Sequence, residues 1–288
     1  MASYLMVQIS DVHLATTGRS LPPGTRPRDN LLRGLHLLEQ AGIRPDILLL
    51  TGDLTDKGEG ACYDDLRGIV AGAASGSGAS VIYLPGNHDD RATFRRHLLE
   101  GTAPGPGNTG GGGADLGGDG GLGGDGGLGG PGGGPINQTR WRHGLRVIAL
   151  DSTVPGEDHG VLDDQTLGYL KSELETPAPD GTVVALHHPP IPSPIQPMAE
   201  MSLQNPERLR DAIAGSDVRI VLCGHTHHAA LGTLGTIPVW VSPASAYQAD
   251  TTSTQVFHGV PGTAFSRVDL SGDGPTVTII PVPMEATA

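Results

Sequence analysis

The chain has 288 residues, which is enough for one large domain or two modest ones. Apolar residues make up 37% and aromatic residues only 3%, so a core must be built mainly from Leu, Val, Ile and Ala. With 18 basic and 31 acidic residues, the formal charge of -13 argues against binding nucleic acid or an anionic membrane through bulk charge. A phosphate ligand would need a local positive source, which bound metal ions can supply.

The sequence gives no indication of secretion or membrane insertion. The start, MASYLMVQISD, has no basic n-region, and its apolar run is too short for a signal sequence. No stretch reaches the roughly 18 apolar residues of a spanning helix. The two cysteines, Cys62 and Cys223, lie far apart and predict neither a disulfide framework nor a thiolate zinc site. We therefore expect a cytoplasmic protein.

Short, continuous apolar runs recur along the chain and predict β-strands that are covered on both faces. In chain order they are Tyr4–Ile9, Ile47–Leu50, Val81–Leu84, Val147–Leu150, Thr182–Leu186 and Val218–Leu222. Helical spacing of leucines lies between them, at 31–38 and at 167–174. Asp29 or Asn30 would be the N-cap of the first of these helices. Alternating strands and helices predict an α/β fold with largely parallel strands.

Two regions depart from this alternation within what we expect to be a single domain over residues 1–288. From about residue 238 the chain is β-rich, and its strands could add to one sheet edge or form a second sheet: Pro238–Val241, Ala264–Leu270 and Thr276–Pro281. Residues 101–134 contain a DGGLGG repeat, which predicts a flexible surface insertion because glycine buries too little surface to offset its ordering entropy. The period of six argues against calcium-binding nonapeptide repeats.

Five of the predicted strands end in residues that can bind metal ions. The segments that follow them are SDVH (10–13), TGDLTD (51–56), PGNHD (85–89), HHPP (187–190) and CGHTH (223–227). In an open α/β sheet the carboxyl ends of the strands gather at one edge, so these side chains should converge. Asp11 and His13 are two residues apart, as are His225 and His227, and in extended chain each pair points the same way.

The ligand types favour two ions over one. Imidazole and carboxylate together suit Zn, Mn or Fe better than Ca or Mg alone. About seven potential ligands exceed what one ion needs, whereas two ions about 3.5–4 Å apart and bridged by one carboxylate would use them all. Each motif taken singly has an ordinary structural explanation, such as a turn or a surface histidine. The ordered set of five motifs is what predicts a site.

Other histidines fall outside this pattern. We expect ordinary surface or packing roles for His36, His97, His143 and His258. His188 and His228 follow directly on predicted ligands, and in extended chain they would point away from the site. We therefore expect them to be structural or to support the ligands.

The motifs resemble those of the calcineurin-like metallophosphoesterase superfamily. Its pattern D-x-H, G-D, G-N-H-D/E, H and G-H-x-H matches Asp11–His13, Gly52–Asp53, Gly86–Asp89, His187 and Gly224–His227. Within the superfamily the chain is most similar to the actinobacterial class III cyclic-nucleotide phosphodiesterases. The stretches that carry this likeness are ISDVHL, TGDLTDKGE, PGNHDDR, LDSTVPGEDHG, ALHHPPIPSPI, GHTHH and SPASAYQAD. Bacterial glycerophosphodiester phosphodiesterases are similar too.

The resemblance implies a fold of two β-sheets sandwiched between helices, a homodimer, and two metal sites holding Fe, Mn or Zn. One site would comprise Asp11, His13, Asp53 and His227. The other would comprise Asp53, Asn87, His187 and His225, with Asp53 bridging. His88 would be the catalytic histidine beside the leaving group, Asp56 would orient it, and Asn87 would also contact the phosphate. The glycine-rich stretch is where the chain departs most from this pattern.

The resemblance and the ligand set together predict hydrolysis of a phosphodiester by a metal-bridging hydroxide, without a covalent phosphoenzyme. Cyclic nucleotides, either 3′,5′-cAMP or 2′,3′-cyclic nucleotides, are the favoured small-molecule substrates. The alternatives are a glycerophosphodiesterase or a broad-specificity phosphodiesterase. The acidic charge argues against a nuclease, and the complete ligand set argues against an inactive metal-binding scaffold. The identity of the metals and the preferred substrate stay open.

Overall fold

A computed structural model describes residues 2–16, 21, 25–100, 134–272 and 274–284. Its strands are β1 (Tyr4–Ile9), β2 (Ile47–Thr51), β3 (Ser80–Leu84), β4 (Gln138–Arg142), β5 (Leu145–Leu150), β6 (Thr182–Leu186), β7 (Val218–Cys223), β8 (Ala230–Leu234), β9 (Ile237–Val241), β10 (Gln248–Ala249), β11 (Gly259–Val260), β12 (Ala264–Ser271) and β13 (Gly274–Pro281). Its helices are α1 (Pro27–Gln40), α2 (Gly60–Ser77), α3 (Arg91–Phe94), α4 (Asp164–Leu174), α5 (Gln196–Glu200) and α6 (Pro206–Ile213). A π-helical turn, Arg95–Leu99, continues α3. Nearly all of the glycine-rich insertion predicted at 101–134 lies outside the described residues.

Two mixed sheets face each other in the described part of the chain. One has the strand order β13-β12-β1-β2-β3, and the other β4-β5-β6-β7-β9-β8. The strands β1, β2 and β3 are parallel, as are β5, β6, β7 and β9, while antiparallel strands lie at every sheet edge except the one formed by β3. Helices connect β1 to β2, β2 to β3, β5 to β6 and β6 to β7, because a hairpin cannot join parallel strands, whereas β8 connects β7 to β9.

Three apolar layers hold the sheets and helices together. In β1, Met6 faces the layer between the two sheets, while its neighbour Val7 faces the helices α1 and α2. A third cluster, which includes Leu167 and Leu209, joins α4 and α6 to the outer face of the second sheet. Both faces of the central strands are buried, which explains their continuous apolar sequences. The result is the predicted α/β fold, in which two sheets are sandwiched between helices.

The structure corrects some local predictions. The C-terminal strands do not form one set, because β9 joins the second sheet beside β7 whereas β12 and β13 join the first sheet. The N-cap prediction of Asp29 or Asn30 is wrong: α1 begins at Pro27, whose ring favours the first helical position. Asn30 instead donates a hydrogen bond to the Ala246 carbonyl, 2.8 Å away. Among the described residues, no helix is both long and apolar enough to span a bilayer.

Candidate metal centre

The loops that follow β1, β2, β3, β6 and β7 meet at one edge of the two sheets. They bring together the residues predicted from sequence: Asp11, His13, Asp53, Asp56, Asn87, His88, His187, His225 and His227. Most of the predicted ligands are buried, with Asp11 and His187 fully inaccessible. Asn87 is half-buried and His88 lies exposed at the mouth of the site. The prediction that five strand ends converge is therefore confirmed by their positions.

Most of the predicted ligands have an unusual backbone conformation. Asp11, His13, Asp53, His225 and His227 have φ between 47° and 74°, in the left-handed region that non-glycine residues rarely occupy. Such strain is typical of functional sites, where the surrounding structure imposes it. Asp11 and His13 meet in one group of ligands, whereas His225 lies with His187 and His227 lies with Asp11 and His13. Left-handed residues bend both segments, which the sequence predicted to be extended.

A first group of ligands consists of Asp11, His13 and His227. The Nε2 atoms of His13 and His227 lie 3.1 Å apart, and His227 Nε2 is 3.5 Å from the Asp11 carboxylate. The Nδ1 atom of His227 is 3.0 Å from the carbonyl oxygen of Tyr247, which can only accept a hydrogen bond. His227 Nδ1 therefore donates to this carbonyl, which leaves its Nε2 to face the group.

A second group of ligands is centred on His187 and Asp53. His187 Nδ1 donates to the Thr51 carbonyl at 2.8 Å, which leaves Nε2 to face the Asp53 carboxylate at 3.3 Å. The same carboxylate oxygen lies 3.6 Å from His13 Nε2 in the first group. Asp53 thus lies between the two groups, where a carboxylate shared by two ions would have to be.

Several buried polar atoms of the site have no hydrogen-bond partner among the described residues. They are His13 Nδ1, Asn87 Oδ1 and both ring nitrogens of His225. Buried polar atoms in folded proteins are almost always paired, so a cluster of unpaired ones indicates a missing ligand. The donor set is imidazole, carboxylate and amide oxygen, which fits divalent transition-metal ions.

The site's electrostatics favour the metal-binding protonation states of Asp53 and His225, whereas His187 is held protonated by Asp53. Burial alone would raise the pKa of Asp53, but the neighbouring imidazoles, chiefly His187, hold that pKa well below its usual value. Burial, helped by His187, lowers the pKa of His225 to about 3, so its ring is neutral. Burial would also lower the pKa of His187, but the charge of Asp53 outweighs it and raises that pKa to about 9. His187 and Asp53 therefore form a charged pair.

His88 stands at the mouth of the site. Its main-chain N–H donates to Asp53 Oδ1 at 2.9 Å, and its Nδ1 is 3.0 Å from the main-chain carbonyl of Asp56. The Asp56 carboxylate is farther away, at 3.8 Å. The resemblance implies that Asp56 orients His88, and the nearest contact of Asp56 with the His88 ring is through its main-chain carbonyl. The charge of Asp53 raises the pKa of His88, against the effect of burial.

Comparisons with known proteins agree with this geometry. The sequence profile of the calcineurin-like phosphoesterases matches residues 5–229, which include every predicted metal ligand. A cAMP/cGMP dual specificity phosphodiesterase of Mycobacterium tuberculosis is 36% identical over 98% of this chain and 84% of its own length. The chain belongs to the calcineurin-like phosphoesterase family. The resemblance seen in the motifs is thereby confirmed.

Other relatives of this calcineurin-like phosphoesterase share its fold or part of its sequence. A probable cyclic nucleotide phosphodiesterase of Rhodococcus erythropolis is 39% identical over 86% of this chain and 72% of its own. A glycerophosphodiester phosphodiesterase of Enterobacter lignolyticus is 26% identical over 85% of this chain and 78% of its own. The crystal structure of a dimetal phosphatase from Danio rerio superposes with a TM-score of 0.58, at 14% identity, over 97% of this chain and 99% of that one. That structure supports the two-sheet fold.

Asp89, the last residue of the GNHD motif, has a structural role that the sequence did not indicate. Asp89 is buried, and its carboxylate accepts hydrogen bonds from the main-chain N–H groups of Leu54, Thr55 and Gly86 at 2.9–3.1 Å. The Tyr63 hydroxyl donates a further bond at 2.8 Å. Asp89 therefore fixes the loop after β3 to the loop after β2. The motif draws attention to Asp89, but the sequence does not show which loop its carboxylate binds.

Glycines of the motifs allow the loops to approach closely. A Cβ atom on Gly86 would overlap the Asp53 carboxylate and lie 2.8 Å from His187 Nε2. A Cβ atom on Gly224 would overlap the Ser10 hydroxyl and lie 2.9 Å from Asp11 Oδ2. Both glycines are thus required by contact with ligands on other strands.

The two histidines that follow ligands are paired with protein groups. His188 Nε2 is 3.2 Å from the Asp158 carbonyl and must donate to it, so Nδ1 accepts from the Ser152 hydroxyl at 2.8 Å. His228 Nε2 is 2.9 Å from the Ser193 hydroxyl. His188 packs 4.6 Å from the His225 ring and could reach an ion beside His187 and His225, but both of its nitrogens are already engaged.

Proposed function

We propose that this protein is a dinuclear-metal phosphodiesterase that hydrolyses cyclic nucleotides. The observation that carries the proposal is the cluster of buried, unpaired imidazole and amide atoms around Asp53. Unpaired imidazole and amide atoms of this kind match what metal-dependent phosphoester hydrolysis requires. The preference for cyclic nucleotides rests on the named activities of the relatives from M. tuberculosis and R. erythropolis.

The proposed ligand sets follow the two groups of side chains. One ion would be held by Asp11, His13, Asp53 and His227, and the other by Asp53, Asn87, His187 and His225. The position of Asp53, within 3.6 Å of an imidazole nitrogen from each set, supports its role as the shared ligand. When bound, Fe, Mn or Zn ions would neutralise phosphate charge and lower the pKa of water towards 7.

His88 is proposed as the proton donor to the leaving alkoxide. Its Nδ1 contacts the main-chain carbonyl of Asp56, and this contact leaves Nε2 on the opposite side of the ring. A proton delivered here matters most for a poor leaving group such as a ribose hydroxyl. Asn87 would hold its ion and contact the phosphate.

A second candidate function is hydrolysis of glycerophosphodiesters, favoured by the likeness to the E. lignolyticus enzyme. Purified protein should be loaded with Mn²⁺ and tested on 3′,5′-cAMP, 2′,3′-cAMP, glycerophosphoethanolamine and bis(p-nitrophenyl) phosphate. We expect the highest kcat/KM for a cyclic nucleotide and complete loss of turnover after chelation. A kcat/KM that is higher for glycerophosphoethanolamine would replace the first function with the second.

The proposed role of His88 has its own test. His88→Ala should retain both metal ions and lower kcat for cAMP by about a hundredfold or more. The loss should be much smaller for bis(p-nitrophenyl) phosphate, whose leaving group needs little protonation. His36→Ala, an exposed histidine on α1, is the matched control and should leave both rates unchanged. Equal losses on the two substrates would argue against a proton-donor role.

Two coarser expectations join this proposal. We propose a cytoplasmic location, since cyclic nucleotides are intracellular signals, and a homodimer, which the family resemblance implies. Fractionation of cells and sedimentation of the purified protein would test them.

A further inference from the structure

A pair of aromatic rings borders the first group of ligands. The ring of Tyr247 lies 4.3 Å from the ring of His227 and 5.9 Å from that of His13. Phe257 lies 6.0 Å from His227 and meets Tyr247 edge-on at 6.3 Å. Both aromatic side chains are only partly buried. In a chain with just three Phe and five Tyr residues, two of them are placed together beside the proposed metal ligands.

The segment that carries these rings is fixed to the ligand loops. Tyr247 precedes β10 and Phe257 precedes β11, and the two short strands pair antiparallel. The His227 carbonyl accepts from the Ala249 N–H at 2.8 Å, while the Tyr247 carbonyl accepts from the His227 ring. The rings therefore keep a constant position relative to the ligands, as a recognition surface requires.

From this geometry we infer that Tyr247, backed by Phe257, is the surface on which the base of a cyclic nucleotide stacks. The inference rests on the proposed function. A phosphate bound at the proposed metal centre would lie beside the Tyr247 ring. In a nucleotide, one ribose separates the phosphate from the base. An aromatic side chain can stack on the flat face of any nucleobase, whereas glycerol has no flat ring to stack on. Tyr247 would thus select nucleotides over glycerophosphodiesters.

The simplest competing explanation is that the rings only cover a small apolar cluster. Phe257 does pack against Ile195, Met198 and Ala249. That explanation accounts for Phe257 but not for Tyr247, whose ring neighbours are His13, His227 and Phe257. No described residue hydrogen-bonds to the Tyr247 hydroxyl. The Tyr247 side chain therefore contacts its described neighbours through its ring.

A matched pair of substrates tests the inference. Mn²⁺-loaded enzyme should be assayed on 3′,5′-cAMP and on methyl β-ribofuranoside 3′,5′-cyclic phosphate, which has the same scissile ring but no base. We expect kcat/KM to favour cAMP by at least about fivefold, the lower end of the effect of stacking one base on one aromatic ring. Tyr247→Leu should remove this preference by raising KM for cAMP alone. Tyr247→Phe should keep it, and Val256→Ala, an exposed aliphatic change in the same segment, should match the wild type.

The possible outcomes separate the two proposals. If the wild type hydrolyses both cyclic phosphates equally well, or if Tyr247→Leu lowers both rates by the same factor, the stacking role is refuted while the phosphodiesterase function stands. If the wild type cleaves bis(p-nitrophenyl) phosphate but neither cyclic phosphate, the cyclic-nucleotide function is refuted and the base-stacking role with it.

Discussion

The two ends of the sheets each bury a cluster of charged side chains, and the clusters differ in how their atoms are paired. At the amino ends of β5 and β6, Arg146 is only 2% exposed. Its guanidinium donates to Asp217 at 3.0 Å, to the Thr182 hydroxyl at 2.9 Å and to main-chain carbonyls of residues 173 and 176. At the carboxyl ends, the atoms around Asp53 include unpaired imidazole nitrogens and an unpaired amide oxygen.

The difference indicates that the paired cluster around Arg146 serves stability, whereas the partly unpaired cluster around Asp53 serves function. Burying a charge is costly unless hydrogen bonds compensate it, and the Arg146 cluster compensates its charges internally. The Asp53 cluster pairs its carboxylate with His187 but leaves other buried polar atoms without partners, and its ligands have left-handed backbone. Natural proteins break local rules of this kind mainly where a ligand completes the site. Substitutions at one end should therefore affect catalysis, and substitutions at the other end should affect folding.

The largest effect is expected for Asp53→Asn. Losing the shared carboxylate should lower kcat/KM for cAMP by about a thousandfold or more, since ions can supply several kcal/mol of charge stabilisation. Bound metal, measured by elemental analysis, should fall below two ions per chain. The matched control is Asp217→Asn in the paired cluster, which should retain metal and turnover but unfold at lower temperature. Full activity in Asp53→Asn would contradict the proposed bridge.

The sequence predicted this functional end better than the paired end. Asp11, His13, Asp53, His187, His225 and His227 follow buried strands, so strand patterns alone place them at one edge. The edge strands β4 and β8 were not predicted, because QTRWR and ALGTL are short and not uniformly apolar. The partners of Arg146 were not predicted either, since Asp217 lies 71 residues away and only the register of β5, β6 and β7 brings the two together.

The roles of Asp89 and Tyr247 show a second limit of the sequence. Each acts through contacts between loops from different strands, and no periodic pattern encodes which loop a side chain will reach. Asp56 shows the same limit at finer scale, because a motif indicates that a residue contacts His88 but not whether its carbonyl or its carboxylate does so.

A smaller effect, on stability alone, is expected for Arg146→Met. Methionine keeps the apolar part of the side chain but leaves Asp217 without its charged partner. Breaking a buried ion pair by removing one member typically costs about 3–5 kcal/mol. We expect the free energy of unfolding in urea to fall by about 3 kcal/mol, because Asp217 keeps its bonds from the Ala178 N–H and the Thr182 hydroxyl. At a temperature where the variant is folded, kcat/KM for cAMP should stay within about twofold of the wild type, and a large loss would show that the two ends are coupled.

The smallest effect should come from Ser152→Ala, which tests the boundary between the two kinds of cluster. His188 lies among the ligands by position, 4.6 Å from the His225 ring, yet both of its nitrogens are paired like those of Arg146. Removing the Ser152 hydroxyl leaves the His188 Nδ1 atom buried without a donor, which should cost about 1–3 kcal/mol of stability.

If pairing decides function, Ser152→Ala should keep both metal ions and a kcat within about threefold of the wild type, because the His188 ring only supports its neighbours. If position decides function, the freed nitrogen should compete for an ion with His187 and His225, and metal content or metal preference should change. Elemental analysis after loading with Mn²⁺ and with Zn²⁺ separates these results. A changed preference would place His188 among the ligands, and hydrogen-bond pairing would then no longer distinguish structural histidines from functional ones.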